Sequence, residues 1–133
     1  MGHATGFICT TCDARFRVRV GGGFFFDLLH CDACGAAKGV SHQDLGEIHL
    51  RFVKGLAPRP YAIVRSRTDQ RIQTDYPGQP ISRVEYRARA EGTLEACACG
   101  GRYRYGAPAR CPSCRSTSEQ WKPDPKASVM FYD

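Results

Sequence analysis

Eight cysteines fall into four close pairs: Cys9 with Cys12, Cys31 with Cys34, Cys97 with Cys99, and Cys111 with Cys114. A tight turn between two thiols can bring both sulfurs onto one ion, and four thiolates form the tetrahedral cage that zinc favours. Eighteen residues separate the first two pairs and eleven the last two, so sequential sites close the shortest loops. On that reasoning Cys9, Cys12, Cys31 and Cys34 hold one Zn2+, and Cys97, Cys99, Cys111 and Cys114 hold a second. A cross-braced alternative, first pair with third, requires the 62 residues between Cys34 and Cys97 to fold back. Disulfides, an iron site of the rubredoxin kind and redox-active pairs are the competing uses of the same residues. No cysteine is left over as a nucleophile.

The elements that position these pairs read mainly as strands. Phe16-Arg17-Val18-Arg19-Val20 alternates apolar and basic residues, the pattern of a strand with one face inward. Gly21-Gly22-Gly23 makes a turn, and residues 24–29 read as the returning strand of a hairpin that delivers the chain to Cys31. Residues 102–105 give a second short alternating strand between Cys99 and Cys111. The chain thus carries a crude internal repeat of cysteine pair, alternating strand, turn and cysteine pair. Residues 41–44 read as one capped helical turn. Ile48, Leu50 and Phe52 alternate as a strand, Pro58 and Pro60 break it, and residues 61–64 form a further short strand. Residues 66–75 have no assigned state, and residues 76–80 form a turn or linker. Residues 84–90 alternate as a strand, although Ile81, Val84 and Ala88 also fit helical spacing.

Gly35 and Gly100 directly follow a second cysteine, where a left-handed residue lets backbone amides approach the sulfurs. With Cys9, Cys12, Cys31, Cys34 and Gly35 in one copy, the sequence resembles the zinc-ribbon family and its rubredoxin-like knuckles. In a second copy the matching residues are Cys97, Cys99, Gly100, Gly101, Cys111, Pro112 and Cys114. The one-residue gap of Cys97-Ala98-Cys99 departs from the usual two. The resemblance covers a little over half of the chain and implies one zinc per ribbon on a small antiparallel β-fold. It implies no particular role, because such ribbons serve transcription, translation, enzymes and adaptors alike. The expected fold is therefore mostly β, small and metal-stabilised. Two zinc ribbons, at residues 1–50 and 93–133, flank a basic β-rich middle segment at 51–92.

Composition agrees with a core that needs help. The 133 residues include 14 glycines and 8 prolines, and lobes this small rarely bury enough apolar surface alone. The N-terminus shows no basic and apolar leader, and no run is long enough to span a membrane. With thiols kept reduced, the expected location is the cytoplasm. The formal charge is +6 overall and is concentrated at 51–92, which holds nine Lys/Arg against four Asp/Glu.

Three functions compete. Arg15, Arg17 and Arg19 share one strand face, Arg87 and Arg89 another, and Arg102 and Arg104 a third. With Tyr86, Tyr103 and Tyr105 nearby, these suit phosphate contact and base stacking on DNA or RNA. Phe24, Phe25 and Phe26 offer an aromatic patch to a protein partner, if they do not simply pack; Trp121 reads as packing. His42, Asp44, Glu47 and His49 cluster, but they meet no known catalytic spacing. The expectation is a non-catalytic, nucleic-acid-associated zinc protein. A protein–protein adaptor is the alternative, and an accessory part of an enzyme stands behind both.

Overall fold

The computed structural model describes residues 2–57 and 63–133, without the side chains of 63–66. It divides into two compact units: Met1–Ser41 with Leu94–Asp133, and His42–Thr93. This grouping differs from the three expected segments. Both chain ends build one unit, and the middle is inserted into it.

In the first unit, β1 (Gly2–Cys9) is the central strand of a sheet. It pairs antiparallel with β2 (Arg15–Val20) on one side. On the other side it pairs with β6 (Trp121–Pro123) and β7 (Met130–Tyr132). The inward positions of β1 are Gly2, Ala4 and Gly6, all buried. They are small because Tyr132 and Ala127 lie directly over Gly2 and Gly6. That leaves β1 without an apolar alternation to read. A second sheet has the order β4-β3-β5, with β3 (Phe26–Cys31) between β4 (Ala37–Ser41) and β5 (Tyr103–Arg104).

The expected hairpin across Gly21–Gly23 does not form: β2 and β3 lie in different sheets. The returning strand begins only at Phe26. Phe26 stacks on Tyr132 with centroids 5.9 Å apart, whereas Phe24 and Phe25 are 41% and 63% exposed. Trp121 packs as expected, edge-on to Phe16 at 5.0 Å and tilted on Phe7 at 5.4 Å. The largest fully buried side chains are Leu29, Cys9, Cys31 and Cys111. Three of those four are cysteines, and with Ala4, Val18, Val40 and Cys97 they make up the small buried core of this unit.

The second unit is helical, which corrects the β-rich expectation for the middle segment. It comprises α1 (His42–Leu45), α2 (Glu47–Lys54), α3 (Ile63–Asp75) and α4 (Arg83–Gly92). The single turn expected at 41–44 is α1. The alternation of Ile48, Leu50 and Phe52 is incidental. The buried positions of α2 are His49 and Val53, four apart on one helical face. Phe52 stacks on Tyr86 of α4 at 4.2 Å, and Tyr86 and Ala90 bury the inner face of that helix. Val84 is 81% exposed. Ser82 caps α4, its hydroxyl accepting from the Glu85 N–H at 3.1 Å. Between helices, Arg51 Nε donates to the Gln79 carbonyl at 2.8 Å, and Gln73 donates to the Leu56 carbonyl at 2.9 Å. Of the expected strand at 61–64, residues 61 and 62 lie outside the described residues, as do Pro58 and Pro60. Residues 63 and 64 open α3. Among the described residues, no helix is long and apolar enough to cross a membrane.

Candidate metal centres

All four cysteine pairs fold as knuckles with the same backbone pattern. The carbonyl of the first cysteine accepts from the N–H four residues on: Asp13 to Cys9 at 2.9 Å, Gly35 to Cys31 at 3.0 Å, Arg115 to Cys111 at 2.8 Å. The N–H of the first cysteine donates to the carbonyl five residues on, at Ala14, Ala36 and Ser116, each at 2.9 Å. In the third knuckle both spans are one residue shorter: Gly100 donates to Cys97, and Cys97 to Gly101, each at 2.8 Å. The missing residue of Cys97-Ala98-Cys99 is absorbed there, and the knuckle keeps its form. Each turn ends on a left-handed residue, with φ of +60° at Asp13, +75° at Gly35, +91° at Gly100 and +61° at Arg115. Gly35 and Gly100 were legible as such; Asp13 and Arg115 occupy the same place without glycine's freedom.

The knuckles pair in a nested order. Cys9 and Cys12 meet Cys111 and Cys114, and Cys31 and Cys34 meet Cys97 and Cys99; within each group the sulfurs all lie within 4.8 Å. Sequential pairing is therefore corrected, and the cross-braced alternative is not formed either. The strands dictate the result. Cys9 at the end of β1 lies opposite Trp121 of β6, and the Thr10 N–H donates to the Gln120 carbonyl at 2.7 Å. Cys31 at the end of β3 lies opposite Tyr103 of β5, and the Asp32 N–H donates to the Arg102 carbonyl at 2.8 Å.

Sulfur spacing fits a four-coordinate metal. Cys9–Cys114 and Cys12–Cys111 are 3.6 and 3.5 Å apart; Cys31–Cys99 and Cys34–Cys97 are 3.5 and 3.7 Å. A tetrahedron with metal–sulfur bonds of about 2.3 Å has edges of about 3.8 Å. A disulfide needs about 2.05 Å, and all eight cysteines are free thiols.

The electrostatics divide each cage. The Ser116 hydroxyl first, then the Cys12 and Thr11 backbone, bring the Cys9 thiol down to about 6. The Cys99 backbone and the Tyr103 hydroxyl bring Cys97 down to about 6 as well, while Tyr103 itself is pushed up to about 12 by that same contact. The Ala14 and Ala36 backbone favours the thiolates of Cys12 and Cys34, but burial and three neighbouring sulfurs outweigh it and push both up to about 12. Four crowded sulfurs cannot all ionise unaided, and a central divalent cation removes that conflict.

Around the ligands stand groups that the sequence did not single out. Ser116 Oγ lies 3.2 Å from the sulfurs of both Cys9 and Cys114, and Trp121 Nε1 donates to it at 3.4 Å. Gly101 lies against Cys31 so closely that a Cβ would sit 2.5 Å from the sulfur, and its N–H points to Cys99 Sγ at 3.4 Å. Such outer contacts orient ligands and tune affinity. A Ser or Gly two residues beyond a knuckle is too common a feature to have been read beforehand.

The arginines expected on nucleic acid fall in both units, with Arg15, Arg17, Arg19, Arg102 and Arg104 in the first and Arg87 and Arg89 in the second. Arg15, Arg17 and Arg19 lie along β2 at exposed positions. Arg15 pairs with Asp124 at 3.0 Å, Arg17 donates to the Ser128 carbonyl at 2.7 Å, and Arg19 lies 5.1 Å from the Tyr132 ring centroid. Arg102 precedes β5, and Arg104 on it is 3.9 Å from Asp32. Arg87 and Arg89 are on helix α4, not a strand, where residues two apart diverge by about 200°; Arg89 pairs with Glu85 at 2.7 Å. Tyr86 is buried, Tyr103 faces Cys97, and Tyr105 donates to Asp27 at 2.7 Å. His42 and His49 stack face to face at 4.0 Å in the helical unit. Among the described residues, only the two cysteine groups assemble as metal-binding sets.

A family model described as "Domain of unknown function (DUF8255)" matches residues 5–120. No curated protein and no solved structure matches the chain.

Proposed function

We propose that this chain, which belongs to the family Domain of unknown function (DUF8255), is a non-catalytic protein clamped by two structural four-cysteine zinc sites and associated with nucleic acid. The observation that carries the reading is the pair of four-sulfur groups, each with all sulfurs within 4.8 Å and two opposed pairs at 3.5–3.7 Å. Zinc bound there supplies a closed, redox-inert crosslink with no open coordination position. Cys9, Cys12, Cys111 and Cys114 would hold one ion, and Cys31, Cys34, Cys97 and Cys99 the other. Ser116, Tyr103 and the knuckle amides stabilise the thiolates. Free thiols in every pair accord with a reducing compartment such as the cytoplasm.

The nucleic-acid part rests on the β2 arginines. A guanidinium has five N–H donors, so one contact with Asp124 or the Ser128 carbonyl leaves others for phosphate. Exposed pairs of this kind are worth about 1 kcal/mol or less and yield readily. Each zinc tetrathiolate carries a charge of about −2, which brings the formal +6 down to about +2. Attraction must therefore be local and salt-sensitive. Fluorescence anisotropy with labelled DNA and RNA oligonucleotides at increasing salt tests this. The reading expects binding that weakens steeply with salt and on Arg17→Ala with Arg19→Ala. No binding at low salt removes it.

A specific observation favours the adaptor as a second reading. Val20, Phe24, Phe25 and Phe131 are 48%, 41%, 63% and 74% exposed, and His3 pairs with both Val20 and Phe131, which brings those two onto one patch of the sheet. If that patch binds a protein, Val20→Ser with Phe131→Ser abolishes capture of a partner from native lysate. A monomer that captures nothing counts against this reading.

A further inference from the structure

Within its sheet β2 is an edge strand, paired with β1 alone. The direction of its unpaired backbone groups follows from β1. The Gly6 carbonyl accepts from the Asp124 N–H at 3.0 Å, and the Thr10 N–H donates to the Gln120 carbonyl at 2.7 Å, both toward the β6 segment. The Cys9 N–H donates to the Ala14 carbonyl at 2.9 Å, toward β2. Backbone groups alternate in direction along a strand, so Thr5 and Phe7 bond to β2, whereas Ala4, Gly6 and Ile8 do not. Their register partners Arg19, Arg17 and Arg15 therefore turn both N–H and C=O away from β1. Among the described residues, no hydrogen bond reaches the outward groups of Arg15 or Arg17. This edge borders a cleft of about 320 Å³, whose lining includes residues 16–19 of β2 together with Gly35 and Arg110 of the second and fourth knuckles. His30 lines the cleft too, and its ring meets the Arg19 backbone, which sets the cleft on the outward side of β2.

An unpaired edge is a template for another strand. Charge decides which strand it takes. Arg15, Arg17 and Arg19 stand on one face at every second position. Among the described residues, Arg17 and Arg19 pair with no carboxylate, and no Asp or Glu lines the cleft. A second copy of β2 would set arginine beside arginine, which like charge disfavours. A strand with Asp or Glu at alternate positions sets a carboxylate beside each guanidinium instead. We infer that the outer edge of β2 is a docking site for an extended acidic segment of a partner protein, added as a further antiparallel strand. Its backbone pairs with Arg15 and Arg17, and its carboxylates lie on the arginine face. The assignment stands apart from the nucleic-acid reading, which uses the arginine side chains and leaves the edge amides unpaired.

The test uses the full zinc-loaded chain and three probes: a peptide of alternating Glu and Thr, the same peptide N-methylated at every Glu, and an oligonucleotide. The wild type is expected to bind the first peptide saturably, one per chain. N-methylation keeps the charge but removes the donors, and is expected to weaken binding by about tenfold or more. Binding should slow amide exchange at Arg15 and Arg17 and leave Phe16 and Val18, already bonded to β1, unchanged. Arg17→Pro removes the outward N–H where an edge strand admits proline, and is expected to abolish binding at unchanged metal content. Arg17→Ala keeps that amide and weakens binding only in part. Equal binding of both peptides, or no slowing at Arg15 and Arg17, overturns the site. Peptide binding with slowed exchange, and no binding of the oligonucleotide, supports the site and removes the nucleic-acid reading. Oligonucleotide binding with no peptide binding overturns the site and leaves that reading standing. Slowed exchange of the same amides in the free chain at rising concentration gives the edge to a second copy and overturns the acidic partner. Should Arg17→Pro fail to fold, the two peptides on the wild type decide.

Discussion

Asp13 and Arg115 hold backbone conformations that cost a non-glycine residue about 1–2 kcal/mol. They hold them because the knuckle amides must point inward at sulfur. Arg115→Gly is therefore expected to stabilise the cysteine unit by about 1 kcal/mol, less glycine's added entropy in the unfolded chain. Chemical denaturation of the zinc-loaded protein measures this, and a loss of stability would refute the strain. Gly35→Ala should act oppositely, costing about 2 kcal/mol or more, since its Cβ would be driven into Arg110 on a left-handed backbone. Ser116→Ala removes the hydroxyl shared by Cys9 and Cys114 and is expected to lower zinc affinity at that site alone by about tenfold or more, read by chelator competition. At this scale the eight cysteines that group in fours were legible as candidates, because cysteine spacing is a chemical signal that needs no fold. Ser116 and Tyr103 were not, because only tertiary pairing brings them to Cys9 and Cys97.

Elements were harder to read where small or incidental residues carried the pattern. β2 and β5 declared themselves through apolar–basic alternation, but β1 hid behind Gly2, Ala4 and Gly6, whose inward face has no side chain large enough to register. From the end of α1 through α2, two periodicities coexist. Ile48, Leu50 and Phe52 alternate, while Leu45, His49 and Val53 recur every four residues, and it is the latter set that is buried. The Ser82–Glu85 cap was the overlooked evidence for α4. Ser82→Ala should destabilise the helical unit by about 1 kcal/mol and leave zinc content untouched, as helical circular dichroism on melting and metal analysis would record. Loss of bound zinc in that variant would contradict the independence of the two units.

Over the whole molecule, nesting makes the two chain ends interdependent. Joining Cys12 to Cys111 across 98 residues instead of Cys12 to Cys31 across 18 costs only about 1.5 kcal/mol more in loop entropy. A structural zinc site contributes about 10–16 kcal/mol, so loop length cannot choose the pairing. The strand contacts β1 with β6 and β3 with β5 choose it, and these were invisible because each joins segments from opposite ends of the chain. A fragment ending at residue 92 keeps only Cys9, Cys12, Cys31 and Cys34, two ligands from each nested site. It is expected to melt without a cooperative transition even with zinc present. The most direct test replaces zinc with 113Cd in the full chain and records proton–cadmium correlations. Nesting predicts two cadmium signals, one coupled to the β-protons of Cys9, Cys12, Cys111 and Cys114 and the other to those of Cys31, Cys34, Cys97 and Cys99. A signal that couples Cys9 and Cys12 with Cys31 and Cys34, or no cadmium signal at all, would contradict it.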